Sequence, residues 1–338
     1  MSFDMKPSVH IIGAGGIGIA SAACLIRAGW DVIMVESNPE KIAAGRRDEM
    51  TLDGRPIRGA HFIHFDEWVP PTDTVVLLCT KTFDNAPVLQ RIANAQALVP
   101  IQNGYDRKLE ECGHPAEAIA SFVSECPPDR LSVRITRAGS LHVGARRKIT
   151  SAEHESINAL VSAFTEGKLF PVKQVSAIDP FKATKLMYNA AISPLAASAG
   201  VDNAELLIEP LTQKLFFALL KENYSILRHA GLTLEQIGPF HPDTVMSILQ
   251  APILPKILGL FFRPSLRGTY CSMSPDMGSG RTEIDAYNGH LIRLAGGFPC
   301  PINNAVINLV DRISRERLPK LRAHLHHLAA SLPNGTLK

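Results

Sequence analysis

Lys185, Asn189 and Ser193 recur four residues apart in the segment Lys185-Leu-Met-Tyr-Asn189-Ala-Ala-Ile-Ser193-Pro194. On an α-helix that spacing puts all three on one face, amid residues that are mostly apolar. A lysine that is partly buried loses hydration. Its pKa falls, and it becomes a candidate proton donor near neutral pH. An amide or a hydroxyl beside it can hold a carboxylate without cancelling the lysine's charge. The same spacing also suits a solvated stripe on an amphipathic helix, so the row alone leaves both readings open.

A second pattern lies near the N-terminus. Gly13, Gly15 and Gly18 form G-x-G-x-x-G directly after the apolar run Val9–Ile12 and at the start of an Ala-rich stretch that Gly29 stops. Gly13 allows a tight turn. Gly15 lets the backbone approach a pyrophosphate lying on the helix N-terminus, and Gly18 permits close helix–strand packing. Ala14, Gly16 and Ile17 complete this candidate dinucleotide loop. Glu36 follows Gly18 by 18 residues, at the end of a predicted strand Asp31–Glu36. A carboxylate there accepts from a ribose 2′-OH and repels a 2′-phosphate, which favours NAD over NADP. Ser37 adds no positive charge. Lys41, Arg46 and Arg47 are expected on a solvated helix face.

These residues need elements to position them. Further strands are predicted at Thr74–Cys79 and Ala97–Ile101. Strands alternating with helices imply a parallel sheet wound on both faces. The expected fold class is α/β: an N-terminal Rossmann-type dinucleotide-binding domain, residues 1–177, followed by an all-helical C-terminal domain, residues 178–338. Ser132–Ile135 and Ser140–Val143 have turn residues between them and predict a hairpin. Helices are predicted at Phe181–Ala199, Leu206–Ala230, Pro242–Leu249, Thr282–Ala295 and Asn303–Arg317. The tail histidines His324, His326 and His327 read as the polar face and end of a last amphipathic helix rather than a metal tract.

Composition agrees. The chain has 338 residues, and at about 150 residues per domain this predicts two domains. Hydrophobic residues make up 46% and charged residues 20%, enough apolar surface for a real core. The net charge of +3 is too mild for a nucleic-acid binder or a polybasic membrane binder. The six cysteines form no CxxC pair and no Cys/His group with zinc spacing. They read as reduced thiols of a cytoplasmic protein without a metal site. Met1–Val9 lacks the apolar core of a signal peptide. The uncharged run Ile11–Ile26 is 16 residues long and holds four glycines, short of the about 20 apolar residues of a membrane span.

Four separated motifs give the chain a resemblance to the ketopantoate reductase (2-dehydropantoate 2-reductase) family. They are the Gly13–Gly18 turn, Gln102-Asn103-Gly104, Lys185-Leu-x-x-Asn189, and Arg281-Thr282-Glu283-Ile284-Asp285 followed by Asn288-Gly289. The resemblance implies that Lys185 is the catalytic lysine, protonating or polarising a keto oxygen. It implies that Glu283 contacts the substrate hydroxyl and orients the lysine, that Asn189 hydrogen-bonds the substrate, and that Ser272 binds its carboxylate. It also puts Asn103 near the nicotinamide ribose and Lys81 near the adenosine end of the cofactor.

Two departures stand out. Ser193 occupies the place of a second substrate-binding asparagine in ketopantoate-specific enzymes. It can still bind a carboxylate or hydroxyl, so it remains a candidate contact to a different substrate. Ser37 stands where NADP-using relatives often carry arginine, while Lys81 would welcome a 2′-phosphate. The cofactor expectation is therefore NAD or NADP, with Glu36 favouring NAD. The proline-bearing segment Ala251–Arg267 is expected to reshape a wall of the substrate cleft.

The reading is an NAD(P)H-dependent reductase of a small 2-oxo acid, 2-dehydropantoate 2-reductase-like. The alternatives are an NAD-dependent D-2-hydroxyacid dehydrogenase of the same family with another substrate, and a non-catalytic NAD(P)H-binding sensor. The expected partner is the small substrate, with no nucleic acid and no membrane. A homodimer through the helical domain is a further expectation.

Overall fold

A computed structural model describes residues 6–70, 72, 74–92, 97–251 and 254–337. Met1–Met5 of the N-terminal segment, and Pro252 and Ile253 within Ala251–Arg267, lie outside the described residues. The chain divides into two compact units. Unit 1 is Met1–Gln102 with Asp106–Ile178, and unit 2 is Asn103–Tyr105 with Asp179–Lys338.

Unit 1 runs β1 (Ser8–Ile12), α1 (Gly16–Arg27), β2 (Asp31–Glu36), α2 (Pro39–Arg46), β3 (Thr51–Leu52), β4 (Arg55–Pro56), β5 (Ala60–His64), β6 (Val75–Leu78), α3 (Asn85–Arg91), β7 (Ala97–Pro100), α4 (Arg107–Glu111), β8 (Ala116–Ala120), β9 (Val123–Glu125), β10 (Ser132–Arg137), β11 (Leu141–Ala145), α5 (Ser151–Gly167) and β12 (Val172–Val175). Five strands form a parallel sheet in the order β5-β2-β1-β6-β7. Its apolar runs serve two cores at once. Val9, Ile11, Val75, Leu77, Ala97 and Val99 enter one, while Ile12, Val76, Leu78 and Leu98 enter the other. That is period-2 alternation in a sheet covered on both faces. The chain leaves β1 toward β2 on one side and later returns to β6 on the other. The strand order therefore reverses at β1, where such sheets bind ligands beyond their carboxyl ends. Gly13, Glu36, the Cys79–Lys81 segment and Gln102–Asn103 all sit at or beyond those ends.

The expected hairpin does not form. β10 pairs with β3 and β9, whereas β11 pairs with β8 and β12. Gly139, in the connection, approaches the backbone so closely that a Cβ would lie 2.3 Å from the Phe122 nitrogen. Ser121 N–H donates to the Ser140 carbonyl at 2.8 Å, and Ser140 N–H to the Ser121 hydroxyl at 2.8 Å. The small residues thus mark a crossing between two sheets rather than a turn within one.

Unit 2 contains α6 (Asp179–Ala199), α7 (Pro210–His229), α8 (Pro242–Gln250), α9 (Leu254–Leu266), a π-helical turn (Asp285–Gly289), α10 (His290–Ala295), α11 (Pro301–Glu316) and α12 (Ala323–Ser331). Apolar faces of α6, α7, α8, α10, α11 and α12 meet in one core. Two predicted helices are broken. Pro210 has no N–H to extend a helix from Leu206, so α7 starts at the proline and the Thr212 hydroxyl takes the Leu206 carbonyl at 3.0 Å. Thr282–Ala295 divides into the π turn and α10. His324 also departs from expectation. It is buried, with Nε2 2.9 Å from the Pro319 carbonyl, while His326 and His327 stay exposed. The Ala251–Arg267 segment is largely helix α9, which exposes Ile257, Leu260 and Phe261.

Among the described residues no helix is long and apolar enough to cross a membrane. No group of three or more His, Cys, Asp or Glu among them is placed to hold a metal ion.

Candidate active site

The glycine turn has the shape its sequence predicts. Gly13 adopts φ +99°, in the region that favours glycine. A Cβ on Gly18 would lie 2.0 Å from the Gly13 carbonyl oxygen, so α1 packs on the turn only with glycine there. A Cβ on Gly15 would meet nothing within 4 Å, which leaves open space over the backbone. α1 carries no side-chain cap and no acidic residue in its first turn. Its free N–H groups and positive dipole end suit a pyrophosphate, so the residues present fit a dinucleotide.

Glu36 is tied into this turn. Ala14 N–H donates to its Oε2 at 2.9 Å, and Ser37 and Asn38 N–H donate to Oε1 at 2.8 and 3.0 Å. Lys41 is not solvated as its sequence position suggests. It is buried, and Nζ donates to the Ala14 carbonyl at 2.9 Å. The first turn of α2 therefore braces the glycine loop, and of these three cations Arg46 and Arg47 face solvent.

The ends of β6 and β7 are joined by a polar knot that the motifs do not reveal. Asn85 is fully buried. Its amide donates to Gln102 Oε1 at 3.0 Å and to Asp106 Oδ2 at 2.8 Å. Gln102 answers with donations to Asn85 Oδ1 at 2.7 Å and the Thr80 carbonyl at 2.8 Å. Asn85 thus holds both flanks of Asn103–Tyr105, and the Thr80–Lys81 strand end as well. Lys81 and Asn103 are both half-buried. Asn85→Ala strips these partners from buried polar groups. We expect unit 1 to lose about 1–3 kcal/mol in chemical denaturation, with weaker NADH binding in a fluorescence titration. A loss under about 0.5 kcal/mol, the range of ordinary surface substitutions, would show that the knot is dispensable.

In unit 2 the polar row is real. Lys185 and Asn189 are half-buried on α6, and Ser193 is buried. Pro194 lies inside the helix and has no N–H for the Ala190 carbonyl. Asn288 supplies the missing donor, its amide reaching the Ala190 carbonyl at 2.9 Å. The same amide donates to Asn303 Oδ1 at 2.8 Å. The Asn303 amide continues to Asn223 Oδ1 at 2.9 Å and to Glu222 Oε1 at 2.8 Å, and Asn223 donates to the Met187 carbonyl at 3.0 Å. The Glu222 carboxylate also receives the Ile302 and Asn303 N–H groups at the start of α11. A buried amide chain therefore fastens α6, beside Asn189, to the turn that follows Glu283.

Glu283 is buried, whereas Ser272 is exposed. Tyr287, fully buried, joins them. Its hydroxyl donates to Glu283 Oε2 at 3.3 Å and lies 3.4 Å from Ser272 Oγ. Burial pushes the Tyr287 phenol well above its usual range, and the Glu283 charge adds to the effect, so the group stays a protonated donor. The neighbouring Cys271 thiol donates to the Ser193 carbonyl at 3.3 Å. Ser193, Ser272 and Glu283 are thus gathered by direct contacts and their immediate neighbours. A second cation sits nearby on α6. Lys182, fully buried, places Nζ 4.3 Å from the Tyr105 ring centroid, and that ring stacks on His290 at 4.0 Å. Tyr105 N–H donates to the Ala286 carbonyl at 3.0 Å. Motif reasoning missed Lys41, Asn85, Tyr287 and Lys182, because each looks like ordinary surface or core in sequence.

A Rossmann-type nucleotide turn in one unit, and a lysine-bearing helix fastened to a glutamate turn in the other, define an NAD(P)-dependent oxidoreductase. The chain belongs to the ketopantoate reductase family. Residues 9–148 match the family model described as ketopantoate reductase PanE/ApbA, and residues 177–314 match its C-terminal counterpart. The 2-dehydropantoate 2-reductase of Aquifex aeolicus (strain VF5) is 24% identical over 315 residues, 89% of this chain and 94% of the relative. That of Archaeoglobus fulgidus is 22% identical over 313 residues, 89% and 96% of the two chains. Among solved structures, a PanE/ApbA family ketopantoate reductase from Ralstonia eutropha JMP134 superposes with a TM-score of 0.72 at 22% identity, covering 92% of this chain and 100% of that one. D-mandelate dehydrogenase with NADH and anilino(oxo)acetate superposes with a TM-score of 0.74 at 17% identity, covering 92% and 99%.

Proposed function

We propose that the chain reduces a small 2-oxo acid to the 2-hydroxy acid, in the manner of a 2-dehydropantoate 2-reductase. The observation that carries this reading is the fastening of the Lys185–Asn189–Ser193 helix to the Glu283 turn through Asn288. A bound reduced nicotinamide supplies the hydride that goes to the keto carbon. Negative charge builds on the keto oxygen, where the Lys185 ammonium stabilises it and then gives up a proton. Glu283 contacts the reacting oxygen and orients the lysine. Asn189, Ser193 and Ser272 grip the substrate and add no charge to compete with Lys185. Gly13, Ala14, Gly15, Gly16, Ile17, Gly18, Glu36, Lys81 and Asn103 serve the cofactor.

A second reading keeps the chemistry and changes the substrate: an NAD-dependent D-2-hydroxyacid dehydrogenase. Ser193 favours it, because its buried hydroxyl is shorter than the asparagine of ketopantoate-specific enzymes. Purified protein with NADH or NADPH and a panel of 2-oxo acids, including ketopantoate and phenylglyoxylate, tests both. Oxidation of neither cofactor across the panel would sink the reductase reading, and the preferred acid separates the two.

Glu36 supports a preference for NAD. A carboxylate offers about four lone-pair sites, and three take backbone N–H groups. The one remaining suits a ribose hydroxyl and repels a phosphate. Glu36→Ser is expected to shift the ratio of kcat/KM for NADH over NADPH toward NADPH by about tenfold, ~1.4 kcal/mol. Both KM values should rise, because Ala14 N–H loses its acceptor. An unchanged ratio in steady-state kinetics would remove Glu36 from cofactor choice.

A further inference from the structure

Tyr287 lies between two residues of the proposed site and is itself assigned no part in it. Its side chain is fully buried, and its hydroxyl has a polar neighbour on each side. A phenol carries one proton. Glu283, as a carboxylate, can only accept, so that proton points to Glu283 Oε2. Ser272 Oγ lies 3.4 Å from Tyr287 Oη on the other side.

We propose that Tyr287 is a positioning residue that holds the Glu283 carboxylate in place for turnover. The inference rests on the reductase reading given above. Without Tyr287's donation, Glu283 loses a partner that fixes its rotamer, so orientation of Lys185 suffers. The loss therefore falls on kcat and not on substrate KM. A merely structural tyrosine would show the opposite pattern, since a loosened pocket binds substrate more weakly.

The test is Tyr287→Phe, which removes one oxygen, measured with the best acid of the 2-oxo acid panel and the preferred dinucleotide. We expect kcat to fall about tenfold, less than the ~10²–10⁴-fold typical of a group that transfers the proton itself. KM for the acid should stay level or drop, and the Kd for NADH by fluorescence should be unchanged, which reports a folded protein. The same substitution in a Glu283→Ala background should change kcat no further, because the group through which Tyr287 acts is gone. Wild-type kcat in Tyr287→Phe, or the same factor lost in both backgrounds, overturns the assignment while the reductase reading stands. A wild type that oxidises neither dinucleotide with any acid overturns that reading, and this assignment with it. Should Tyr287→Phe fail to bind NADH, Tyr287→Met supplies a second apolar replacement judged by the same two-background comparison.

Discussion

Lys185→Ala is expected to lower turnover by about 10²–10³ while the Kd for NADH stays within about twofold, by analogy with the loss of one donor to a developing oxyanion. The size follows from where the lysine stands. It is half-buried on α6, in surroundings where an ammonium acts on a nearby oxygen with less screening than in water. The helix is not free to shift and bring another donor up, because the Asn288–Asn303–Asn223 chain holds it at Ala190 and Met187. Lys182, one turn earlier, cannot replace it, since Nζ is buried over the Tyr105 ring. Lys185→Arg should not restore the rate. A guanidinium keeps the charge but gives up no proton near neutral pH, and its planar fork does not match a point ammonium. Steady-state kinetics with a fluorescence titration of NADH separates the outcomes. Unchanged turnover in Lys185→Ala would return the row to a solvated stripe. Loss of NADH binding together with turnover would point to folding rather than chemistry. The same pair of measurements separates an enzyme from a dinucleotide sensor, which would be indifferent to the change.

The parts of this molecule that were legible in sequence are those where a residue type has one physical use. Glycine at positions 13, 15 and 18 is such a case: a positive φ, open space and a 2.0 Å approach each exclude other residues. Continuous apolar strands that serve two cores are another. The row Lys185, Asn189 and Ser193 was visible because helical period sets it on one face. Other features depend on partners far along the chain. Lys41 looks like one more surface cation until its Nζ is found on the Ala14 carbonyl. The Ser132–Val143 turn residues signal a reversal, and only the Ser121–Phe122 backbone, packed on Gly139, turns that into a crossing between sheets. Asn85 and Tyr287 read as helix and core, since a buried polar group declares itself only through its partners. α5 was missed despite a local sign: Thr150 and Glu153 form a capping box at its start.

Pro194 and Asn288 set up the second large effect, on stability rather than rate. A proline inside a helix removes the N–H that its i−4 carbonyl needs, and here that carbonyl, on Ala190, lies in the core. Asn288→Ala leaves it without the amide that reaches it at 2.9 Å, and takes the donor from Asn303 Oδ1 as well. Each buried group left without a partner costs about 1–3 kcal/mol. We therefore expect about 2–4 kcal/mol in all, or roughly 4–16 °C in the melting temperature of unit 2 at about 2–4 °C per kcal/mol. Pro194→Ala restores a backbone N–H four residues after Ala190. On its own it should stabilise modestly, by relieving the interior proline while Asn288 still occupies the carbonyl. In the Asn288→Ala background it should recover more, because there it also supplies the missing donor. The difference between those two gains is the coupling, expected at about 0.5–3 kcal/mol for residues sharing one acceptor. Equal gains in both backgrounds would mean that Asn288 does not stand in for the proline's absent N–H. The amide chain would then be a core feature unrelated to the line of α6. A positive coupling, accompanied by a kcat loss in Asn288→Ala that Pro194→Ala partly reverses, would tie the helix that presents Lys185 to the turn that presents Glu283. In that case one carbonyl freed by one proline is the joint between them.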